Sequence, residues 1–120
     1  MTIYTVISID AINTEPLNHY IVGSYGSRGK AVDACVKDIF DRLDIRFDLV
    51  RAFAHDENHP EVKNFMTGNN DSGRFVVKDG MRQKLEDYLR DEIGSMGCYH
   101  IYDSDSGIWN FDIDANDFEA

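Results

Sequence analysis

Basic residues are missing from the last quarter of this sequence. No Lys or Arg follows Arg90, whereas residues 91–120 contain eight of the 22 acidic residues. The first 90 residues hold the other 14 acids and all 12 bases, so the net charge of −10 divides into −2 and −8. Because negative charge of this size repels nucleic acids and anionic membrane surfaces, we expect direct binding to neither.

Long apolar runs and targeting signals are also missing. No window approaches the roughly 18 consecutive apolar residues of a membrane span. The first ten residues, MTIYTVISID, lack the basic region and the small-residue cleavage site of a secretory signal peptide. The sequence thus predicts a cytoplasmic protein.

Cysteine is scarce, with Cys35 and Cys98 alone. Nothing in their spacing requires a disulfide, and we expect two buried free thiols. Neither lies in a recognised nucleophile context, and the sequence contains no G-x-S-x-G elbow, G-x-G-x-x-G loop or Walker lysine. These absences favour a non-enzymatic protein without a cofactor.

The residues that are present predict one packed domain spanning residues 1–120. A chain of this length is too short for two self-sufficient cores. Its hydrophobic content of 42% argues against intrinsic disorder despite the charge. We therefore expect the chain to fold alone.

Alternation of apolar and polar residues predicts a β-hairpin at each end of the chain. The N-terminal hairpin joins residues 3–11 to 19–25, where Gly23 indicates a bulge or a close backbone contact. The C-terminal hairpin joins residues 98–103 to 108–114. In its second strand, the side chains predicted to face the core are Trp109, Phe111 and Ile113, and those predicted to face solvent are Asn110, Asp112 and Asp114.

Helical periodicity occupies the segment between the hairpins. Ser27 can cap a helix whose apolar stripe runs to Leu43, and Asp79 can cap a helix that stops at Gly94. Residues 44–56 fit either a strand or a helix, and we favour a helix to about His55. The shorter predicted elements are a helix that begins at Pro60 and an edge strand over residues 74–78.

These elements together predict an α+β fold. Its core is an antiparallel sheet of four or five strands, made by the N-terminal and C-terminal hairpins, with helices packed on one face. The two hairpins bracket the helices in the chain, and no linker divides them.

The acidic C-terminal hairpin is the most distinctive surface that this fold would present. Successive carboxylates on one strand face, such as Asp112 and Asp114, lie about 6.6–6.8 Å apart, close to the spacing of phosphates along a nucleic acid. We expect them to attract the basic surface of a nucleic-acid-binding protein. The residues predicted to contact this partner are Asp103, Asp105, Trp109, Asp112, Asp114, Asp117 and Glu119, with Tyr99 and Tyr102 as further aromatic anchors.

This interpretation describes a small inhibitor of a nucleic-acid-handling protein. Compact acidic α+β proteins of this kind occur among phage-encoded antagonists of bacterial defence, including anti-CRISPR proteins, and the analogy is one of size and charge. Equally open is the interpretation that the acidic surface only keeps the protein soluble. The sequence does not indicate an oligomeric state.

A second hypothesis is a ligand- or nucleotide-sequestering domain, which could be oligomeric. The turn Gly23–Gly29 runs from a strand into a helix N-terminus, where backbone N–H groups can bind a phosphate. The residues expected to bind such a ligand are Ser27, Arg28 and Lys30. An ordinary turn with a serine cap accounts for the same residues.

Two further motifs suggest metal binding and are better explained as loops. His55 and His59 stand four apart, as in helical zinc sites, and would serve a metal-dependent enzyme, but Pro60 predicts that a helix begins there. Residues 103–107, DSDSG, start like a calcium loop but place Gly where the fifth position needs a ligand. We therefore predict no metal site.

Overall fold

The computed structural model describes residues 1–11, 18–45, 47–69, 74–103 and 107–117. Within these ranges the chain forms six strands, three α-helices and one 3-10 helix. The strands are β1 (Thr2–Ala11), β2 (Asn18–Tyr25), β3 (Met66–Asn69), β4 (Arg74–Val77), β5 (Cys98–Asp103) and β6 (Gly107–Asp117). The helices are α1 (Arg28–Ile45), α2 (Phe47–Ala54), the 3-10 helix (Pro60–Phe65) and α3 (Arg82–Met96).

Four strands form one antiparallel sheet in the order β2-β1-β6-β5. The two terminal hairpins meet in its centre, where β1 pairs with β6 from Thr2–Asp117 to Ala11–Ile108. The predicted α+β architecture is confirmed, with a sheet of four strands. The predicted bulge is also present, because the β1–β2 register shifts between Val6 and Ile7, opposite Gly23 and Ile21.

Helices cover one face of this sheet. The apolar stripe of α1 packs inward through Val36, Ile39 and Phe40, and helix α3 adds Leu89 and Ile93. The sheet contributes the two largest fully buried side chains, Trp109 and Tyr99, together with Phe111, Ile101 and Val6. Burial of these aliphatic and aromatic groups is the main source of the fold's stability.

A separate two-stranded sheet follows the 3-10 helix. Strand β4 was expected as an edge strand, and it pairs with β3 from Met66–Val77 to Asn69–Arg74. Strand β3 was not predicted, because the sequence MTGN has the small and polar residues of a turn. The predicted helices over residues 44–56 and from Pro60 are both present.

Both predicted ends of α3 are wrong. Asp79 does not cap the helix, because Gly80 takes φ 77 and a turn joins Met81 N–H to the Lys78 carbonyl at 3.0 Å before the helix begins. At the other end the helix passes through Gly94 and stops at Gly97, whose φ of 73 is left-handed. A glycine ends a helix when it adopts this conformation, which residue type alone does not reveal.

Both cysteines are free thiols, as predicted. Cys35 is buried in α1, but Cys98 is only half-buried at the start of β5, which corrects the expectation of two buried thiols. None of the described helices combines the length and apolar character that a membrane span requires.

Candidate functional site

The outer face of the four-stranded sheet, opposite the helices, is the candidate site. Side chains on a strand point alternately to the two faces, so each buried residue of β6 is flanked by outward-facing ones. Trp109 is 1% exposed, whereas its neighbour Ile108 is 39% exposed. No helix or strand among the described residues packs on the outer face.

This outer face is rich in isoleucine. Ile7 pairs with Ile21 across β1 and β2, and Ile9 lies one step further along β1. Ile21 is 76% exposed, and Tyr102 on β5 is 39% exposed. The apolar side chains of the outer face are Ile3, Ile7, Ile9, Ile21, Tyr102 and Ile108. Of these, Ile21, Tyr102 and Ile108 are exposed, and Ile3, Ile7 and Ile9 are half-buried. Exposed apolar side chains grouped on one face are typical of contact surfaces.

The sheet is also electrostatically one-sided. Its four strands contain five Asp and no Lys or Arg, so all the basic residues lie elsewhere in the chain. On the helical side, acids and bases neutralise one another in pairs such as Lys37–Asp41 and Arg90–Asp33. Of the five Asp, Asp112 and Asp114 lie on the outer face, which therefore combines aliphatic area with negative charge.

Three of the predicted contact residues lie on this face, namely Tyr102 on β5 and Asp112 and Asp114 on β6. Asp112 and Asp114 both point outward from β6, as the alternation predicts. Asp114 is exposed, while Asp112 accepts a hydrogen bond of 2.8 Å from Nε2 of His100. Opposite Asp112 across the sheet stand Ile7 on β1 and Cys98 on β5.

The other predicted contact residues are placed differently. Asp103 and Trp109 are buried on the inner face, and Tyr99 is buried beside them, so the expectation that they contact a partner is wrong for this conformation. The odd-numbered side chains of β5 and β6 point toward the helices, which explains why all three of these residues are buried. Asp117 is exposed at the end of β6, where its carboxylate accepts a hydrogen bond from Thr2 Oγ1. Asp105 and Glu119 lie outside the described residues.

Cys98, His100 and Asp112 form a compact group on the outer face. Their ligand atoms all lie within 4.8 Å of one another. Partial burial and the Asp112 carboxylate raise the pKa of the Cys98 thiol above its ordinary value. Within the described ranges this group alone has the residue types and spacing of a metal site.

The loop after α2 closes the free edge of β5. Glu57 N–H donates to the Tyr102 carbonyl at 2.9 Å, and Asp56 Oδ1 accepts from Tyr102 N–H at 3.2 Å. Asp56 Oδ2 also accepts from His59 Nδ1 at 2.8 Å, and the His59 ring stacks on Tyr99 at 4.3 Å. Burial raises the pKa of Asp56, partly offset by these hydrogen bonds. The segment around His59 thus protects a sheet edge.

The turn before α1 is already satisfied by the protein itself. Ser27 Oγ accepts a hydrogen bond from Lys30 N–H at 3.2 Å, which is the N-cap predicted for this helix. Arg28 Nη2 donates to the Gly94 carbonyl on α3 at 2.7 Å. Ser27, Arg28 and Lys30 are therefore adjacent, but two of them have structural partners.

Comparison with known proteins gives no lead. No family model, no curated protein and no solved structure matches this chain. The function is accordingly argued from the geometry of the outer face.

Sequence reasoning missed most of the outer face. The isoleucines of β1 look like core residues, and only the packing of the helices shows which face is covered. The proximity of Cys98 and His100 could have been predicted from the sequence, because residues two apart on a strand share a face. Asp112 joins them only through the hairpin register, which the turn length fixes.

Proposed function

We propose that this protein is a non-enzymatic protein-binding module that recognises its partner through the outer face of the sheet. The observation that carries the proposal is the combination of exposed isoleucines with carboxylates on strands that contain no Lys or Arg. Protein interfaces combine an apolar centre with a polar rim in this way. The charge favours a partner with a basic surface.

The apolar part of this face supports a protein partner in particular. Ile21 and Ile108 can be desolvated only by matching apolar area, which a phosphate-binding groove does not offer by itself. A matching partner has an apolar area that covers Ile7 and Ile21. It also has basic side chains that face Asp112 and Asp114. Such a partner gains apolar burial of about 25 cal/mol per Å² in addition to electrostatic steering.

The acidic pair supports a partner that handles nucleic acids. Asp112 and Asp114 are successive residues on one strand face, and their separation of about 6.6–6.8 Å is near that of neighbouring phosphates. A groove built for DNA or RNA carries the basic charges that such a pair attracts. The protein then acts as a small inhibitor, of the kind that phages use against bacterial defence systems, including CRISPR systems.

Binding to purified nucleic-acid-handling enzymes tests this proposal. We would measure association with CRISPR effector nucleases and restriction endonucleases by biolayer interferometry, with and without their nucleic acid, at two salt concentrations. We expect binding that nucleic acid and salt both weaken. The double variant Asp112→Asn, Asp114→Asn should lose roughly 1.4 kcal/mol or more, which is tenfold in affinity.

Two further variants sharpen the experiment. Ile21→Ser removes exposed apolar area without touching a charge, and it should also weaken binding. Asp91→Asn removes an exposed carboxylate from α3, on the other side of the molecule, and should change nothing. Full affinity in the double variant, or equal losses in the Asp91 control, would contradict the proposal.

The small-ligand alternative has less support. The Ser27 hydroxyl caps α1 and the Arg28 guanidinium binds the Gly94 carbonyl, so of the three predicted ligand residues only Lys30 keeps a side chain that these hydrogen bonds do not engage. A cavity of about 240 Å³ lies between Phe40, Val50, Met66 and Arg82, beneath the β3–β4 hairpin. It is smaller than the roughly 300–1,000 Å³ of typical ligand sites.

A further inference from the structure

We propose that Cys98, His100 and Asp112 bind one zinc ion on the outer face of the sheet. The three ligand atoms come from two hydrogen-bonded strands and lie within 4.8 Å of one another. Zinc in proteins takes a thiolate, an imidazole nitrogen and a carboxylate oxygen at about 2.0–2.3 Å. The inference does not depend on the proposed partner, because the metal itself is measured.

The strand register brings the three side chains together. Cys98 pairs directly with Asp112, and His100 follows two residues later on the same strand. Side chains paired across antiparallel strands have Cβ atoms about 4.5–5.5 Å apart, so thiol and carboxylate face the same point. His100 reaches this point diagonally, with Nε2 at 2.8 Å from Asp112 Oδ1.

Only small side-chain movements separate this arrangement from a tetrahedral site. Ligand atoms around a tetrahedral zinc ion lie about 3.3–3.8 Å apart, given the bond lengths above. The His100 Nε2 and Asp112 Oδ1 atoms, now 2.8 Å apart, must therefore move slightly apart, and the thiol already lies within 4.8 Å of both. Both strands hold their backbones firmly, since β6 is central and the loop containing Asp56 and Glu57 closes the edge of β5.

The surroundings favour a cation. The four strands carry no Lys or Arg that could neutralise the thiolate and carboxylate in place of a metal. Asp114 adds a second carboxylate to the same face of β6. The fourth position points to solvent, where water completes the coordination. The thiol and imidazole select zinc over magnesium and calcium, which prefer oxygen ligands alone.

Binding requires a defined transfer of protons. The Cys98 thiol releases its proton to solvent as the sulfur–zinc bond forms. Binding through His100 Nε2 requires a neutral ring with its proton on Nδ1, so that the Nε2 lone pair can bind the ion. Starting from a neutral His100 ring and an ionised Asp112, one proton is therefore released for each zinc bound.

Cobalt titration of the full chain tests the site. Metal-free, reduced protein is titrated with Co²⁺, and then Zn²⁺ is added to displace it. We expect one Co²⁺ per chain, a near-ultraviolet thiolate-to-cobalt charge-transfer band and the intense visible bands of tetrahedral cobalt. Zinc should abolish these bands and raise the thermal unfolding midpoint.

Single substitutions assign the ligands. Cys98→Ser should remove the charge-transfer band, and His100→Gln and Asp112→Asn should weaken binding by more than the roughly 10–100-fold that loss of an outer-shell partner costs. Asp114→Asn and Cys35→Ala are the matched controls, one carboxylate and one thiol outside the group, and should retain the bands. Circular dichroism establishes that each variant is folded.

Either of two results would overturn the inference. Folded wild-type protein could fail to take up stoichiometric cobalt or zinc. Alternatively, folded Cys98→Ser and His100→Gln variants could bind the metal as tightly as the wild type. Loss of partner binding in an Asp114→Asn variant that still binds zinc would separate the two proposals.

Discussion

Ser8 and Ile9 are neighbours on β1, and the structure buries the serine and places the isoleucine on the outer face. The same contrast recurs along the sheet. The inner face buries Asp10 and Asp103, whereas the outer face exposes Ile21 and Ile108. At these positions a polar side chain lies against the helices and an aliphatic one faces away from them, although most of the inner face is apolar.

The inner face tolerates the Asp10 carboxylate because helix α1 brings a cation to it. Asp10 is 1% exposed, and Arg42 of α1 lies 3.6 Å from it. Arg42 is itself 16% exposed, donates to Asp38 at 3.1 Å and lies over the Tyr20 ring at 4.7 Å. The outer face has no comparable layer among the described residues. Its isoleucines serve no core of this domain, which supports their assignment to a contact surface.

The largest expected effect comes from comparing Trp109 with Ile108, adjacent residues on opposite faces. Trp109→Ala should destabilise the fold by about 3–5 kcal/mol, because it leaves a cavity among fully buried side chains. Ile108→Ala should cost less than about 1 kcal/mol, since its side chain is already exposed. Urea unfolding measures both, and similar losses in the two variants would show that the outer face is covered.

The buried ion pair should produce the next largest effect. Arg42→Ala should cost about 3 kcal/mol, because it leaves the Asp10 carboxylate buried without its cation. Adding Asp10→Asn to that variant should restore part of the loss. Lys37→Ala is the surface comparison, because Lys37 lies 2.8 Å from Asp41 with both side chains mostly exposed, and it should have a much smaller effect on the free energy of unfolding. Equal losses at Arg42 and Lys37 would contradict the role given to the inner pair.

High pH should lower the free energy of unfolding through the buried thiol of Cys35. Burial raises the pKa of Cys35 from 9.0 to about 12. Below pH 9 both folded and unfolded chains keep this proton, and above it only the unfolded chain loses it. The free energy of unfolding should therefore fall between pH 9 and 12, by up to about 1.4 kcal/mol per pH unit for this group.

Two measurements isolate the contribution of Cys35. Cys35→Ala should flatten the alkaline slope, although Tyr99, whose pKa burial also raises, leaves a residual fall. In the native wild type, a thiol reagent should modify Cys98 and spare Cys35. Equal reactivity of the two thiols would mean that Cys35 is not enclosed.

Much of the fold was predictable because its elements are locally encoded. The apolar stripe of α1 from Val32 to Leu43 has the period of a helix, and the alternation around Trp109 has the period of a strand. Alternation of this kind also predicts the strands of both hairpins. Strand β3 was not predictable, because Met66–Asn69 forms a strand only through its pairing with β4. The end of α3 depended on which of two glycines, Gly94 or Gly97, takes a positive φ.

The candidate site was predictable only in part, for a different reason. The outward direction of Asp112 and Asp114 follows from their own strand. Whether a face is covered depends on helices far away in the sequence, so alternation could not tell that Ile7 and Ile9 lie outside. The approach of Cys98 and His100 to Asp112 likewise requires the register of the hairpin.

The smallest expected effect on stability belongs to the outer carboxylates. Asp114→Asn should change the free energy of unfolding by no more than about 0.5 kcal/mol, because the side chain is exposed. Asp112→Asn should cost about 1 kcal/mol or less, since its pair with His100 is partly exposed on both sides. Urea unfolding at low and high salt measures both changes. A loss of several kcal/mol at Asp114 would mean that this carboxylate supports the fold, and its removal could then no longer serve as a clean test of partner binding.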